Sequence, residues 1–336
     1  MKKTFSAAVA LSVLAAPAIA ANLENPLYMP KQGAAYSKTS AGVMYKIADD
    51  SNAHQLKQHD GATEFPIWRL HEELGYGILD NLEAYAKFGY THDDDIGRKG
   101  MHLGRAGLKY RAIDTTDGWA WDLYADAQLG GISEMSGSYA ANGFTYDNYS
   151  NGRWGFHVGT QVGKVWHKFS TAGFIEVLRT FGNDNNSIDI SDSALSGLVA
   201  MNLLPSEISV DLKSTTEVNA GLKMFYQLNN RWSFGGGLTY KHHADNGVEG
   251  LATEYNDVAI PGMGQLSTIV GALEDQLSDM NDGFDEYIIN LTAAYQLTDM
   301  IQGVIYGEYT FDTAHEQSQN GTDVKAEAGV RLNVQF

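Results

Sequence analysis

The sequence contains no cysteine, only six prolines and, after its first twenty residues, no long hydrophobic run. The absence of cysteine excludes disulfides, thiol nucleophiles and thiolate metal sites. Without a run of about 20 apolar residues, the rest of the chain cannot cross a bilayer as a helix. Basic side chains are also scarce, 23 against 41 acidic ones. That balance disfavours a nucleic-acid-binding protein, which usually carries a basic excess.

The N-terminus predicts a secretory signal peptide. Lys2 and Lys3 form a positive start, a mostly apolar stretch covers 5–16, and Ala18-Ile19-Ala20 supplies the small residues typical of a cleavage site. A transmembrane helix is the alternative, but the run is too short and no stop-transfer pattern follows. We therefore expect cleavage after Ala20. The mature chain would hold 21 basic and 41 acidic side chains, net −20, because the signal contains two lysines and no acid.

The last thirteen residues alternate strictly between apolar and polar positions. From Val324 to Phe336 every second residue is apolar, and the residues between are polar, charged or glycine. A strand exposes its two faces with a period of two, so one face suits hydrocarbon and the other suits water. A strand of this kind is typical of a β-barrel that spans a bilayer. A barrel also accounts for the mean hydropathy of −0.27, since alternation averages hydropathy away.

Alternating strands recur along the chain between short turns and long polar segments. Short turns, several rich in Asp and Asn, which suit tight geometry, are predicted near 80–81, 114–118, 163–164, 229–230 and 299–300. Long polar segments cover 49–63, 92–100, 131–152, 183–216, 244–283 and 314–322. Outer-membrane barrels have short turns at their periplasmic end and long loops outside. Twelve strands are predicted, over 38–48, 64–78, 82–91, 101–112, 119–130, 153–163, 166–181, 217–228, 231–243, 285–297, 301–313 and 323–336.

The predicted strands have one apolar and one polar face. One strand sets Trp119, Trp121 and Leu123 against Asp122 and Asp126. A soluble β-sandwich also alternates, but its core would need large apolar residues, whereas many apolar positions here are alanine or aromatic. The strands are also long for a sandwich. The pattern therefore predicts an all-β fold, a single transmembrane antiparallel β-barrel.

Three places fit this pattern poorly. The strands predicted at 101–112 and 166–181 change phase along their length, and Pro66 falls early in the second strand. Since proline is confined to strand ends, edges and bulges, these positions indicate bulges or shifted boundaries.

In these features the chain resembles the porin-like outer-membrane β-barrel proteins of Gram-negative bacteria. The resemblance rests on the signal at 1–20, on turns of the form Tyr-x-Leu-x-Asx, and on the terminal strand with Leu332, Val334 and Phe336. It implies insertion by the barrel-assembly machinery, which reads such a terminal strand, and contact with outer-membrane lipids and lipopolysaccharide. Gly329 stands further from the terminal aromatic than in the commonest form of that strand. The implied organisation is a signal peptide (1–20), a periplasmic N-terminal segment (21–37) and the barrel (38–336).

The predicted loops and the predicted barrel wall differ in charge. The six long loops contain 22 acids and 4 bases, so nearly all of the net negative charge is extracellular. Alternation points charged side chains of both signs inward, where two interpretations remain open: they line a pore, or they pair with each other and stabilise a filled lumen. The predicted lumenal residues are Lys46, Lys87, Arg105, Lys109, Arg111, Asp122, Asp126, Arg153, Glu217, Lys223, Lys241, Lys325, Glu327 and Arg331.

The segment 244–283 carries eight acids and no base. If it folds inward, its acids would face the basic wall across the pore, and such a field orients polar solutes. Apolar residues at helical spacing predict short helices at 264–277 and 193–204. These helices either narrow the mouth of the barrel or pack on one another to bury loop surface.

Nothing in the sequence indicates catalysis, a metal site or a cofactor. His242, His243 and Asp245 resemble outer-membrane proteases only in broad chemistry, and a histidine without placed partners is no evidence of catalysis. Acidic clusters near 93–95 and 184–189 match no EF-hand spacing and predict solvated loops. The sequence therefore predicts a non-enzymatic channel for passive diffusion of small hydrophilic solutes or ions. The alternatives are a non-conducting structural or surface-binding barrel and, less favoured, a hydrolase that would depend on His243.

Overall fold

The structure, a computed structural model, describes residues 22–48, 66–93, 98–130, 153–189, 196–202, 204–244, 283–314 and 324–336, with short pieces inside 135–147 and 248–271. It is a closed antiparallel barrel of twelve strands, which confirms the predicted fold class and strand number. Each strand pairs with the next along the chain, and the last pairs with the first. No helix in the described ranges is long and apolar enough to cross a bilayer.

The barrel strands are numbered β1 to β12 in chain order. Outside the barrel, Asn183–Asp189 and Glu207–Leu212 pair in a small five-stranded sheet, and the helix Ser196–Ala200 falls within the helix predicted at 193–204. The bounds are β1 Ala35–Ala48, β2 Ile67–Leu79, β3 Leu82–Asp93, β4 Arg98–Asp114, β5 Trp119–Gln128, β6 Gly155–Trp166, β7 Phe169–Thr180, β8 Thr215–Gln227, β9 Trp232–His243, β10 Phe284–Gln296, β11 Ile301–Ala314 and β12 Val324–Gln335.

β1 and β12 close the barrel. Just outside β12, the backbones of Ala35 and Phe336 exchange two hydrogen bonds, of 2.8 and 3.3 Å. Pairing the last predicted strand with the first predicts both Lys325 and Arg331 beside Lys46. The register confirms this for Lys325, which lies opposite Lys46, but Arg331 lies opposite Ser40. Arg331 is six positions further along β12, which carries it towards the other end of the barrel.

The tight turns lie at the same end of the barrel as the start of β1 and the end of β12, and we call this the turn end. Four of the five predicted turns lie where expected, but the prediction at 163–164 is wrong. β6 continues to Trp166, and the turn is His167-Lys168, where His167 takes the left-handed backbone conformation (φ 49°). Trp166 and Phe169 stack across this turn with ring centroids 5.8 Å apart. The turn lies four residues later than predicted, which also explains why the strand predicted at 166–181 changes phase.

Two register shifts explain the phase change in β4. One interrupts the pairing with β3 near His102, and the other interrupts the pairing with β5 near Ala112. Each shift inserts one residue, so alternation read straight through the strand fails twice. Pro66 stands just before β2, where its missing N–H costs no ladder hydrogen bond.

The outward face of the barrel is apolar, as a lipid-facing surface must be. Three outward-facing residues have large exposed fractions, 69% for Ile305, 66% for Leu291 and 60% for Val330. Aromatic side chains gather near the turn end, where Trp232 packs on Tyr295 at a centroid distance of 4.8 Å. Aromatic belts of this kind mark the boundary between the hydrocarbon and water.

Gly118 and Gly33 provide a matched test of the turn end, because both have positive φ (89° and 81°). A Cβ on Gly118 would collide with the carbonyl oxygen of Val165, whereas a Cβ on Gly33 would meet nothing within 4 Å. We expect Gly33→Ala to lower the free energy of unfolding by about 1 kcal/mol through backbone strain alone. Gly118→Ala should cost more, about 2–4 kcal/mol, because the β6 backbone must also move. Denaturant titration of the refolded barrel measures both, and equal losses would contradict the steric argument.

Candidate functional site: the barrel lumen

The lumen is polar and charged, and it encloses a cavity of about 550 Å³. Inward-facing polar side chains are buried along most strands, among them Asp122 and Asn333, which are fully enclosed. Strands on every side contribute to the cavity wall, with bases, acids and tyrosines interleaved. The inside of the barrel is therefore a site for water, ions or polar molecules rather than an apolar core.

The N-terminal segment 22–34, which we call the plug segment, lies inside the turn end of the barrel. The sequence predicts a periplasmic segment over 21–37, but the structure starts β1 at Ala35 and packs the residues before it against inward-facing side chains. Leu23 and Leu27 are each only 4% exposed, and Pro30 is fully buried. Leu27 packs with Ala120 and Ala172 of the wall. The segment therefore fills much of the barrel at this end.

Polar side chains of the plug segment bond to strands on opposite sides of the lumen. The Asn22 amide donates to Gln227 at 2.7 Å and Ser233 at 3.0 Å. The Glu24 carboxylate accepts hydrogen bonds from Arg331 at 3.0 Å and Asn333 at 2.9 Å. Since these partners belong to β8, β9 and β12, the segment links strands that are not neighbours.

Backbone carbonyls of the plug segment are held by the opposite wall. Gln161 donates to the Pro26 carbonyl at 2.9 Å, Arg111 to Leu27 at 2.7 Å and Lys109 to Tyr28 at 2.8 Å. A buried carbonyl needs such a donor, because leaving it without one costs free energy. These wall side chains therefore fix the path of the segment.

Asp122 organises that wall. Its carboxylate accepts two hydrogen bonds from the Arg111 guanidinium (2.7 and 3.1 Å) and one from Gln161 (2.7 Å), and Lys109 lies 3.6 Å away. The same Arg111, Gln161 and Lys109 donate to the plug carbonyls. Asp122 therefore positions three donors at once, although its own side chain is fully buried.

Further charges pair between different strands around the cavity. Lys38 and Lys87 both approach Glu73, at 3.1 and 3.6 Å. Arg69 lies 3.1 Å from Glu327. Alternation from sequence identifies Lys87 and Glu327 but misses their partners, because a partner is set by strand register rather than by spacing along one strand.

Four tyrosines add a second kind of contact to these carboxylates. Each hydroxyl donates to an acid on another strand: Tyr36 to Glu73, Tyr85 to Asp126, Tyr124 to Glu176 and Tyr306 to Glu327, at 2.9, 2.7, 2.6 and 3.0 Å. Nothing in the sequence marks these tyrosines as partners of the carboxylates. Their only sequence signal is an inward position on strands whose outward residues are apolar.

His157 sits between two of these acids. Its Nδ1 lies 2.7 Å from Asp126 and its Nε2 3.5 Å from Glu176. A ring that bridges two carboxylates from two other strands braces β5, β6 and β7 against each other. The sequence offers no signal for this role, since the three residues are far apart along the chain.

A separate cluster lies at the loop end, on β8, β9, β10 and β12. Glu286 accepts from His243 at 2.9 Å and lies 3.4 Å from Lys241 and 3.5 Å from Lys325. Glu217 completes it, 3.4 Å from His243 and 3.8 Å from Lys241. The predicted residues Glu217, Lys241 and Lys325 are thus brought together, and His243 contacts two carboxylates.

The remaining predicted residues are spread through the lumen. Arg153 donates to the carbonyls of Phe181 and Lys213 near the loop end. Arg105 faces Lys87 across β3 and β4, and its buried Nε has no hydrogen-bond partner in the described structure. Lys223 lies 4.3 Å over the ring of Phe174. The Lys46 side chain falls outside the described residues.

Most loop predictions lie outside the described residues, namely the acidic face of 244–283, most of the helix at 264–277 and, in the acidic cluster at 93–95, Asp94 and Asp95. In the cluster at 184–189 the backbone is described, as part of the strand Asn183–Asp189, but the side chains are not. Within the described parts of the chain, no group of three or more His, Asp or Glu side chains is placed to hold a metal ion.

No family model and no curated protein matches the sequence. An outer membrane channel from Pseudomonas putida F1 matches in structure with a TM-score of 0.56 and 13% identity, over 94% of this chain and 99% of that one. The NanC porin matches at 0.42 and 9%, over 87% and 98%. The Pseudomonas putida toluene transporter TodX matches at 0.43 and 8%, over 90% and 88%. The first likeness shows a shared fold, so this chain has the closed barrel fold of an outer-membrane channel.

Asp122 and Asp114 provide a matched test of the wall that holds the plug segment. Both carboxylates approach Arg111, at 2.7 and 3.8 Å, but Asp122 is buried and Asp114 is 69% exposed. We expect Asp122→Ala to cost about 3–5 kcal/mol of stability, because it leaves buried Arg111 and Lys109 with only the more distant Asp114 and Glu83, at 3.8 and 3.9 Å. Asp114→Asn should change stability by less than about 0.5 kcal/mol. Equilibrium unfolding in lipid vesicles measures both, and a small loss for Asp122→Ala would contradict the assigned role.

Proposed function

We propose that the protein is an outer-membrane channel through which small hydrophilic solutes and ions diffuse passively. The observation that carries the proposal is the lumenal cavity of about 550 Å³, lined by charged and polar side chains inside a barrel whose outer face is apolar. A barrel that served only as a scaffold could fill this space with apolar packing. The fold shared with the Pseudomonas putida channel supports the same proposal.

The plug segment makes the proposed channel narrow. Eight-stranded barrels are filled by side chains and sixteen-stranded ones leave an open channel, so twelve strands enclose an intermediate space. Residues 22–34 occupy part of that space at the turn end, with Leu23 and Leu27 almost fully buried. Only small solutes therefore pass.

The charges of the wall select for polar solutes. Bases such as Lys38 and Lys109 and acids such as Glu73 and Glu83 line the same cavity. Closely spaced opposite charges in a low-dielectric wall create local fields that orient dipolar solutes and exclude apolar ones. Most of these charges are paired, and a paired charge holds a passing ion only weakly.

Planar-bilayer recording tests the proposal. The refolded mature protein should give small, ohmic conductance steps in potassium chloride, and the reversal potential in a salt gradient would report its ion preference. Heat-dependent mobility on a denaturing gel confirms that the barrel is folded. Folded protein that inserts into bilayers but never conducts would overturn the proposal and favour a non-conducting barrel.

Loosening the plug segment should enlarge the channel. A variant without residues 21–29 loses the contacts of Asn22 and Glu24, and we expect its single-channel conductance to rise several-fold. Glu24→Ala should give a smaller rise, since it removes only the carboxylate shared by Arg331 and Asn333. Lys31→Ala, an exposed position in the same segment, is the matched control and should behave as wild type. Equal conductance for all four proteins would show that the segment does not limit passage.

A further inference from the structure

Four residues of the cavity wall lie in one row across four neighbouring strands. Lys223 on β8 is the register partner of Gly237 on β9, Gly237 of Asn290 on β10, and Asn290 of Glu308 on β11. Residues paired in this way point to the same face of a sheet. The row therefore presents a base at one end, an acid at the other, and a glycine and an amide between them.

Neither charge at the ends of the row is hydrogen-bonded or ion-paired to a described residue. Lys223 contacts the face of Phe174 but makes no hydrogen bond or ion pair within the described structure. Glu176 interacts with Lys223 electrostatically, but this acid is bonded to Tyr124 and His157. Glu308 likewise makes no hydrogen bond or ion pair with a described residue. Its neighbours Glu327 and Arg69 are paired with each other at 3.1 Å.

Between these charges the wall forms a recess made by Gly235, Gly237, Asn290 and Thr292. The two glycines give the polar groups of the neighbouring strand room to lie against the wall: a Cβ on Gly235 would collide with the Thr292 hydroxyl, and one on Gly237 would lie 3.1 Å from the Asn290 amide oxygen. The side chains of Asn290 and Thr292 have no hydrogen-bond partner among the described residues. Both line the cavity, together with Lys223 and Glu308.

This arrangement contrasts with most of the lumen, where acids and bases of different strands meet directly. Lys38, Arg69, Lys109 and Arg111 each lie within 4 Å of a carboxylate. Unpaired charges and unbonded amides in a partly buried wall are costly unless a ligand or water satisfies them. The recess is the part of the described lumen where a cation, an amide, a hydroxyl and a carboxylate all remain available.

We infer that the recess binds a small zwitterionic solute, with its carboxylate at Lys223 and its ammonium group at Glu308. This inference rests on the proposed function, since it names the class of solute that the channel takes. Three strand spacings of about 4.8 Å separate the two Cα atoms, about 14 Å along the wall. The Lys223 ammonium lies over Phe174 on β7, so it would turn towards β9 to meet the solute. The lysine and glutamate side chains then shorten the span, and what remains suits a solute whose charges are a few bonds apart. Asn290 and Thr292 can bond to the polar atoms of the solute.

A dianion or a dication fits this row poorly. The second negative charge of a dianion would meet Glu308, whose register partner on β12 is Glu327. The second positive charge of a dication would meet Lys223, which Lys87 already repels electrostatically. Like charges at these distances repel, so the site discriminates by charge arrangement rather than by net charge.

Four-carbon probes test the inference by isothermal titration calorimetry on the full mature protein in detergent. The probes are 4-aminobutanoate (zwitterion), butanoate (anion), butylammonium (cation) and butanamide (neutral). We expect 4-aminobutanoate to bind at least about tenfold more tightly than the other three, because it alone makes both charge-assisted hydrogen bonds. Lys223→Met and Glu308→Gln should each remove about that tenfold preference. Gly237→Val, which fills the recess, should abolish binding.

Matched controls remove the same charges outside the lumen. Lys168 and Asp299 lie in exposed turns. The variants Lys168→Met and Asp299→Asn should therefore bind 4-aminobutanoate as tightly as the wild type does. Heat-dependent gel mobility confirms that each variant is folded. Binding of 4-aminobutanoate no tighter than butanoate, binding unaffected by Glu308→Gln, or no binding at all would overturn the inference. Calorimetry measures binding and does not depend on passage through the barrel. A protein that conducts ions but does not bind 4-aminobutanoate would refute only the zwitterion site. A protein that binds 4-aminobutanoate but does not conduct ions would refute only the channel.

Discussion

The structure depends on one constraint, that every backbone N–H and C=O at membrane depth must be hydrogen-bonded within the protein. An open sheet would leave two edges unpaired, so the first and last strands have to meet. The exchange of backbone hydrogen bonds between Ala35 and Phe336 begins that closure, and the register of β1 on β12 continues it to Lys46 and Lys325. Closure in turn divides every strand into an outward and an inward face. The apolar exterior, the polar lumen and the position of each charged side chain all follow from that division.

Inside the barrel, electrostatic pairing does what apolar packing does in a soluble protein. Asp122, Glu73, Glu286 and Glu327 each receive at least one base or donor from another strand, and tyrosine hydroxyls complete several of these contacts. Buried ion pairs add little net stability over apolar packing, but breaking one leaves an uncompensated charge. Such a lumen stays hydrated and holds its strands in one register. The Lys223–Glu308 row departs from this rule, which is why it stands out as a binding site.

Much of the fold is predictable from sequence, because it depends on local patterns. A period of two identifies strands and their lipid-facing side, and the turns at 80–81 and 229–230 have the residues that tight turns prefer. The turn at His167-Lys168 has no such residues, so its position is predicted wrongly. The bulges near His102 and Ala112 break the alternation, and that break is how the sequence indicates them. Of the site, alternation finds Lys109, Asp122 and Arg331 one by one, but pairing depends on register between strands distant in sequence. The plug segment lacks any periodic pattern, and only its contacts reveal where it lies.

The hydrogen bonds that Arg331 and Asn333 donate to Glu24 have a consequence for how the protein is assembled. The segment that is held comes before the first strand, and the residues that hold it belong to the last. The docking site for the N-terminal residues is therefore incomplete until the whole chain has been made and its two ends have met. Sealing the wall and seating the segment become a single cooperative event, in which the final strand supplies both the last ladder of backbone hydrogen bonds and the side chains that retain the beginning of the chain.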